Sequence, residues 1–141
     1  MVSEMVRYVR RGGGRALLIY PEGGRVEGDA KLGELKSGPA RVALLANAPI
    51  LPVAVTGTEK VLAKNSATPR RAPAPCRVTF GEPIQPEDFL EEMRRNEVRA
   101  ARSVTNLLTE RLLALIETAE ADNPATPPRL PLPTAEGEKV A

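Results

Sequence analysis

The chain is 141 residues long, with 20 Lys and Arg against 18 Asp and Glu, a net charge of +2, and no histidine. That length fits one domain, since domains most often run to about 100–150 residues. The near-balance of charge and the sparse aromatics, Tyr8, Tyr20, Phe80 and Phe89, argue against a nucleic-acid partner, which would call for a clustered basic face or stacking aromatics. Cys76 is the only cysteine, so there is no disulfide framework, and without histidine a Zn or Cu site of the usual N/S type cannot be assembled. Neither a metal nor a bound cofactor is expected, and Cys76 reads as a small buried thiol at the start of a strand. No apolar segment reaches the roughly 18–20 residues that span a bilayer, and no signal peptide is visible at Met1. A cytoplasmic location follows, soluble or peripheral at the inner face of the cell membrane.

Ser3 is placed to cap a short helix, Glu4 to Arg11, with an acidic residue at its start and Arg10 and Arg11 in its last turn. Gly12-Gly13-Gly14 ends it. These glycines precede an apolar run, whereas nucleotide-binding glycines follow a strand, so the run reads as a connector. Ala16 to Tyr20 is apolar and of strand length, which fits a parallel strand covered on both faces. Residues Val26 to Leu35 form a polar excursion, long enough for a flap over a ligand and equally consistent with a plain surface loop. Gly38-Pro39 opens a second helix running to Asn47, with Val42, Leu44 and Leu45 on its apolar side.

Pro49 to Thr56 reads as a second strand that, given Pro49 and Pro52, enters irregularly or lies near a sheet edge. The helix joining the two apolar runs makes a βαβ unit. Lys64 to Pro75 reads as an exposed loop leading to a third strand, Cys76 to Phe80. Pro86 with Glu87 and Asp88 starts a further helix. From Glu97 to about Ala121, the residues Val98, Ala101, Val104, Leu108, Leu112 and Leu115 recur at three- and four-residue spacing, the pattern of a long covering helix. Beyond Asn123 the proline density rules out regular helix or sheet and favours a disordered tail. The expected architecture is α/β: a domain over residues 1–122 with a small, mostly parallel sheet and covering helices, and a proline-rich tail over 123–141.

The stretch that carries chemistry is Tyr20-Pro21-Glu22-Gly23-Gly24-Arg25, at the end of the first apolar run. Glycines let backbone N–H groups approach an anion closely, and an arginine offers a planar, permanently charged fork for phosphate. The alternative is an ordinary turn with a surface Glu–Arg pair. Downstream come Lys31-Leu32-Gly33-Glu34-Leu35-Lys36-Ser37-Gly38, the second helix, and Pro49-Ile50-Leu51-Pro52-Val53-Ala54-Val55-Thr56.

In that order and separation, these blocks resemble the second half of the phospholipid/glycerol acyltransferase family, the lysophosphatidate acyltransferases, over about half of the chain. That family has an F-P-E-G-T-R-S block, a lysine-containing K-x-G start to a helix, and a V-P-I-V-P-V-type strand. The resemblance implies that Glu22, Gly23, Gly24 and Arg25 bind the acceptor's glycerol phosphate, with Lys36 adding charge near the head group or remaining a solvated lysine. Arg25 would take the phosphate oxygens, and Glu22 would hold Arg25 or contact a glycerol hydroxyl. Gly24 and Val26 stand where the family usually has threonine and serine, which removes two hydroxyl donors. The implied reaction moves an acyl group from an acyl thioester of coenzyme A or acyl carrier protein, as co-substrate, to a lysophospholipid hydroxyl.

The family's base is the histidine of an H-x-x-x-x-D pair, well upstream of the E-G-T-R block, and this chain has no histidine. The resemblance therefore implies an amino-terminally truncated copy with no catalytic residue of its own. Three readings stand together: an incomplete acyltransferase; a non-catalytic domain that binds phosphate or an anionic lipid; and a structural α/β domain whose Glu22 and Arg25 merely pair. Peripheral membrane contact is implied by the family's lipid substrates and by Arg7, Arg10, Arg11 and Arg15, which otherwise form a solvated basic face.

Overall fold

A computed structural model describes residues 1–24, 31–58 and 76–121. The elements run α1 (Val2–Arg10), α2 (Gly38–Ala46), β1 (Val53–Thr56), β2 (Arg77–Phe80), a 3-10 turn (Pro86–Phe89), α3 (Leu90–Arg95) and α4 (Glu97–Ala121). The expected loop over 64–75 and tail over 123–141 lie outside the described residues, as does Arg25.

α1 starts two residues before the expected helix. Met1 is its N-cap, with no side-chain capping bond, so Ser3 lies inside the first turn instead of capping it. Val2, Met5, Val6 and Val9 are half-buried, and this i, i+3, i+4, i+7 stripe packs against α2. Gly12, Gly13 and Gly14 all take positive φ, at 67°, 72° and 68°. Three successive left-handed residues are cheap only for glycine, so the run breaks the helix and turns the chain as a connector.

The segment Ala16–Tyr20 is not a strand: residues 15–20 carry no regular secondary structure, and Leu18 is 79% exposed. A strand exists only through a laddered partner, and β1 and β2 are hydrogen-bonded to each other instead. The expected βαβ unit and mostly parallel sheet are therefore replaced, among the described residues, by one antiparallel pair. Its register is Val53↔Phe80, Ala54↔Thr79, Val55↔Val78 and Thr56↔Arg77. An isolated antiparallel bridge between Ile50 and Ile84 and a Gly81 N–H bond to the Pro52 carbonyl, at 2.9 Å, extend the pairing past the strands. Cys76, just before β2, is exposed, because the strand begins one residue later and leaves the thiol outside the packed face.

A two-stranded sheet is marginal unless something covers it. The covering element is α4, which packs on both strands. Ala54 is buried, and the Arg77 guanidinium reaches the Ala119 carbonyl at 3.4 Å. The period of two puts Val53, Val55, Val78 and Phe80 together on the opposite face, where Val55, Val78 and Phe80 are exposed.

α4 matches its expected span. Asn96 caps it, its side-chain oxygen accepting the Arg99 N–H at 3.0 Å. The buried stripe is Ala100, Ala101, Val104, Leu108, Leu112, Ile116 and Ala119. Val98 is not in it: at 71% exposed it sits in the first turn, on the flank away from Ala100 and Ala101. Where α4 meets α2, Ala40, Leu44, Ala100, Ala101 and Val104 form one core cluster, joined by Ile50, Phe89 and Met93. α2 ends as expected, Asn47 adopting φ 51° and ψ 52° while its N–H bonds back to the last turn. Among the described residues no helix is long and apolar enough to cross a membrane.

Alanines at 40, 100 and 101 let the α2 and α4 backbones approach closely, so this contact is sensitive to side-chain volume in both directions. Leu44→Ala should cost about 2–5 kcal/mol by leaving a cavity, and Ala100→Leu about 1–3 kcal/mol by overpacking. Urea denaturation of the two variants checks both values; a change within experimental error for either would place the core elsewhere.

Candidate functional site

The candidate turn is built by backbone pairing and one carboxylate. Gly23 takes φ 68° and its N–H donates to the Tyr20 carbonyl at 3.2 Å, closing a tight turn over Pro21 and Glu22. Proline presets the dihedral at the second position, and the positive φ asks for glycine at the fourth. Glu22 is half-buried, and its Oε2 accepts the N–H of Gly33 at 2.8 Å. The Pro21 carbonyl accepts the N–H of Lys36, also at 2.8 Å. Two bonds thus clasp the turn to the segment leading into α2.

That segment is itself held at both ends. Leu35 is buried in a cluster with Ile84, Leu108 and Leu112. Lys31 Nζ donates to Glu120 Oε2 of α4 at 2.6 Å, both side chains being about half exposed. The Lys31 pKa is raised above 10.5, first by this hydrogen bond and then by the charge of Glu120, against a smaller desolvation effect.

Of the five residues singled out in the sequence, four come together here. Glu22, Gly23 and Gly24 form the turn, and Lys36 is bonded to it through its backbone. The fifth, Arg25, follows directly on Gly24 but lies outside the described residues, as do Val26 to Ala30 of the expected excursion. Glu22 faces the Gly33 amide, and the Gly23 N–H is committed to Tyr20, so neither of those two groups is idle. Gly24 is exposed, and a Cβ built on it would meet nothing within 4 Å. Lys36 is exposed, its ammonium 3.9 Å from Glu34 Oε2, a loose surface pair worth little. The arrangement offers the Gly24 backbone and the Lys36 ammonium to an anion.

Sequence reasoning did not single out Gly33 and Lys31 for these roles. The only signal was their position at the start of the K-x-G stretch, since a hydrogen bond across eleven residues leaves no periodic trace. No polar or charged side chain is buried among the described residues. None of them groups three or more His, Cys, Asp or Glu in a way that could hold a metal ion.

Residues 1–56 match the family model described as Acyltransferase. Over 77 residues the chain is 39% identical to a 1-acyl-sn-glycerol-3-phosphate acyltransferase of Cocos nucifera, covering 55% of this chain and 24% of that protein. A protein of the same description from Limnanthes alba is 38% identical over 74 residues, covering 52% of this chain and 25% of its own. The chain thus spans about a quarter of the length of these relatives. No solved structure matches. The resemblance to the acyltransferase family is thereby shown for this part of the chain, and the turn Tyr20–Gly24 lies within the matched residues.

Two outcomes follow from the clasp. Glu22→Ala removes the acceptor for the Gly33 N–H and should cost about 1 kcal/mol, whereas Glu22→Gln, which keeps an acceptor oxygen, should retain most of the stability in urea denaturation. Lys31 has a raised pKa in the folded chain, so its contribution is complete below pH 10.5 and is lost as pH climbs through the raised value. The small stability difference between wild type and Lys31→Met should therefore hold steady through neutral pH and narrow as pH climbs above 10.5; a difference that persists unchanged well above pH 10.5 would contradict this assignment.

Proposed function

We propose, from the acyltransferase likeness of residues 1–56, that the turn Tyr20–Gly24, with Arg25 and Lys36, binds the phosphate of a lysophosphatidate-type acceptor. The chain would supply the acceptor-binding part of an acyltransferase of glycerophospholipid synthesis. The acyl group would come from an acyl thioester of coenzyme A or acyl carrier protein. The single observation that carries this reading is the pair of relatives described as 1-acyl-sn-glycerol-3-phosphate acyltransferases, aligned over more than half of this chain.

The proposed division of labour follows from residue chemistry. Arg25 offers two parallel N–H donors to phosphate oxygens, the Gly24 backbone N–H a third, and Lys36 a mobile point charge. Glu22 would act as a positioning residue: by accepting the Gly33 N–H it holds the turn from which Arg25 emerges. Acyl transfer also requires a base to take the proton of the acceptor hydroxyl, a contribution of about 10²–10⁴-fold in rate. A chain without histidine offers no group of the family's type for it. We therefore expect the chain by itself to bind acceptor without turning it over. The histidine-free sequence equally favours the second reading, a domain that binds phosphate or an anionic lipid and performs no chemistry.

Calorimetric titration with glycerol 3-phosphate and with short-chain lysophosphatidate tests the site. Both should bind, Arg25→Ala should weaken each by about tenfold or more through loss of a charge-assisted pair, and Gly24→Thr should fold normally and bind at least as tightly. Mixing acceptor with acyl-coenzyme A or acyl carrier protein should give no product. Failure of both ligands to bind or to raise the melting temperature would leave the turn a structural one, and product formation would overturn the assignment of a base outside this chain.

A further inference from the structure

α4 packs on one face of the β1–β2 pair, where Ala54 is buried. On the other face the period of two aligns Val55, Val78 and Phe80, all of them exposed. Leu51 continues this row ahead of β1. Its neighbours Ile50 and Pro52 turn inward, Ile50 against the α2–α4 cluster and Pro52 fully buried, while Leu51 itself is exposed. Where β2 ends against α4, Phe80, Gly81, Ala114, Leu115 and Thr118 line an open hollow of about 430 Å³. Gly81 allows this close approach, since a Cβ there would meet Leu115 Cδ1 at 2.9 Å. The rim carries one acid and one base, Glu82 and Arg111, whose charged groups are 3.3 Å apart.

We infer that this face joins two copies of the chain in a two-fold dimer, the Phe80 ring of each copy seated in the hollow of the other. A surface with a projecting aromatic ring beside a hollow is self-complementary: one two-fold axis fills both hollows at once. The two Phe80 rings then meet near the axis, where an aromatic pair gains beyond its buried area. The rim selects the same partner. Glu82 of one copy comes opposite Arg111 of the other, and a patch with one charge of each sign offers nothing to a polyanion. A two-stranded sheet is marginal with one face bare, and a second copy supplies the missing layer as sheet on sheet. Four exposed apolar side chains per copy, with the hollow and its rim, bury on the order of 1,000 Å² between two copies, the lower bound for a specific association. The dimer is therefore weak, with a dissociation constant on the order of micromolar or above. The inference does not rest on the acceptor site, since none of these residues belongs to the turn or to Lys36.

Sedimentation velocity of the full chain, run from low to high micromolar concentration, tests it. The sedimentation coefficient should climb from the monomer value toward that of a dimer and stop there. Phe80→Ser, with its helix content verified by circular dichroism, should raise the dissociation constant by about tenfold or more through loss of a central aromatic anchor. Glu82→Arg and Arg111→Glu should each weaken the dimer when run alone, and an equimolar mixture of the two variants should restore it, because opposite charges then face each other across the axis. The inference is overturned if the wild-type chain stays monomeric throughout, if it grows past the dimer into open assemblies, if Phe80→Ser dimerises like wild type, or if the mixed variants associate no better than either alone. A chain that is monomeric at every concentration, and whose melting temperature falls on Phe80→Ser, would show the face covered from within its own chain and would also overturn it. Any of these results leaves the calorimetric result for the turn untouched.

Discussion

The carboxylate of Glu22, accepting the amide of Gly33, is the constraint on which the candidate site depends. A turn on a segment without a strand ladder has few ways to hold an orientation. Here two bonds from consecutive residues, the Glu22 side chain and the Pro21 carbonyl, hold it against the start of α2. Side-chain acceptors that satisfy a backbone amide also remove the penalty of an unpaired N–H in a half-buried place. The consequence is specific: the acid of the Glu-Gly-Gly-Arg block belongs to the scaffold, its carboxylate committed to the Gly33 amide.

The clasp is only as firm as what it is tied to. Residues 31–37 are fixed by Leu35 in the core, by the Lys31–Glu120 pair, and by α2, whose buried face rests on the alanines of α4. α4 therefore serves the site twice, packing the sheet and, with Glu120 close to the residue that meets Arg77, holding the segment opposite the turn. Exposed ion pairs add little individually. The apolar contacts of Leu35, Leu44, Val104, Leu108 and Leu112 provide most of the anchoring, since burying each such side chain contributes on the order of 1.5–3 kcal/mol.

Elements with their own periodicity were legible in the sequence. α4 was readable over its full span because its apolar residues recur every three or four positions, and α2 because Gly38-Pro39 marks its start and Asn47 its end. β1 and β2 were legible within the expected strands Pro49 to Thr56 and Cys76 to Phe80, the first starting only at Val53, but their direction was not. Parallel pairing was inferred by treating Ala16–Tyr20 as a strand, and strand identity is a relation between segments that one segment cannot declare. Ser3 as a cap and Val98 as core failed by a residue or two at helix ends, where local signals are weakest. Of the site, Glu22, Gly23, Gly24 and Lys36 were legible as a group through the motif blocks. The Glu22–Gly33 bond was not, because nothing in local composition encodes a contact between two loops.

Amide hydrogen exchange read residue by residue addresses the clasp most directly. The account predicts that the Gly33 and Lys36 amides exchange markedly more slowly than an unstructured chain, and that Glu22→Ala releases Gly33 while leaving the amides of α4 unchanged. Exchange of Gly33 and Lys36 at unstructured rates in the wild-type chain would contradict it, and with it the view that Glu22 shapes the turn.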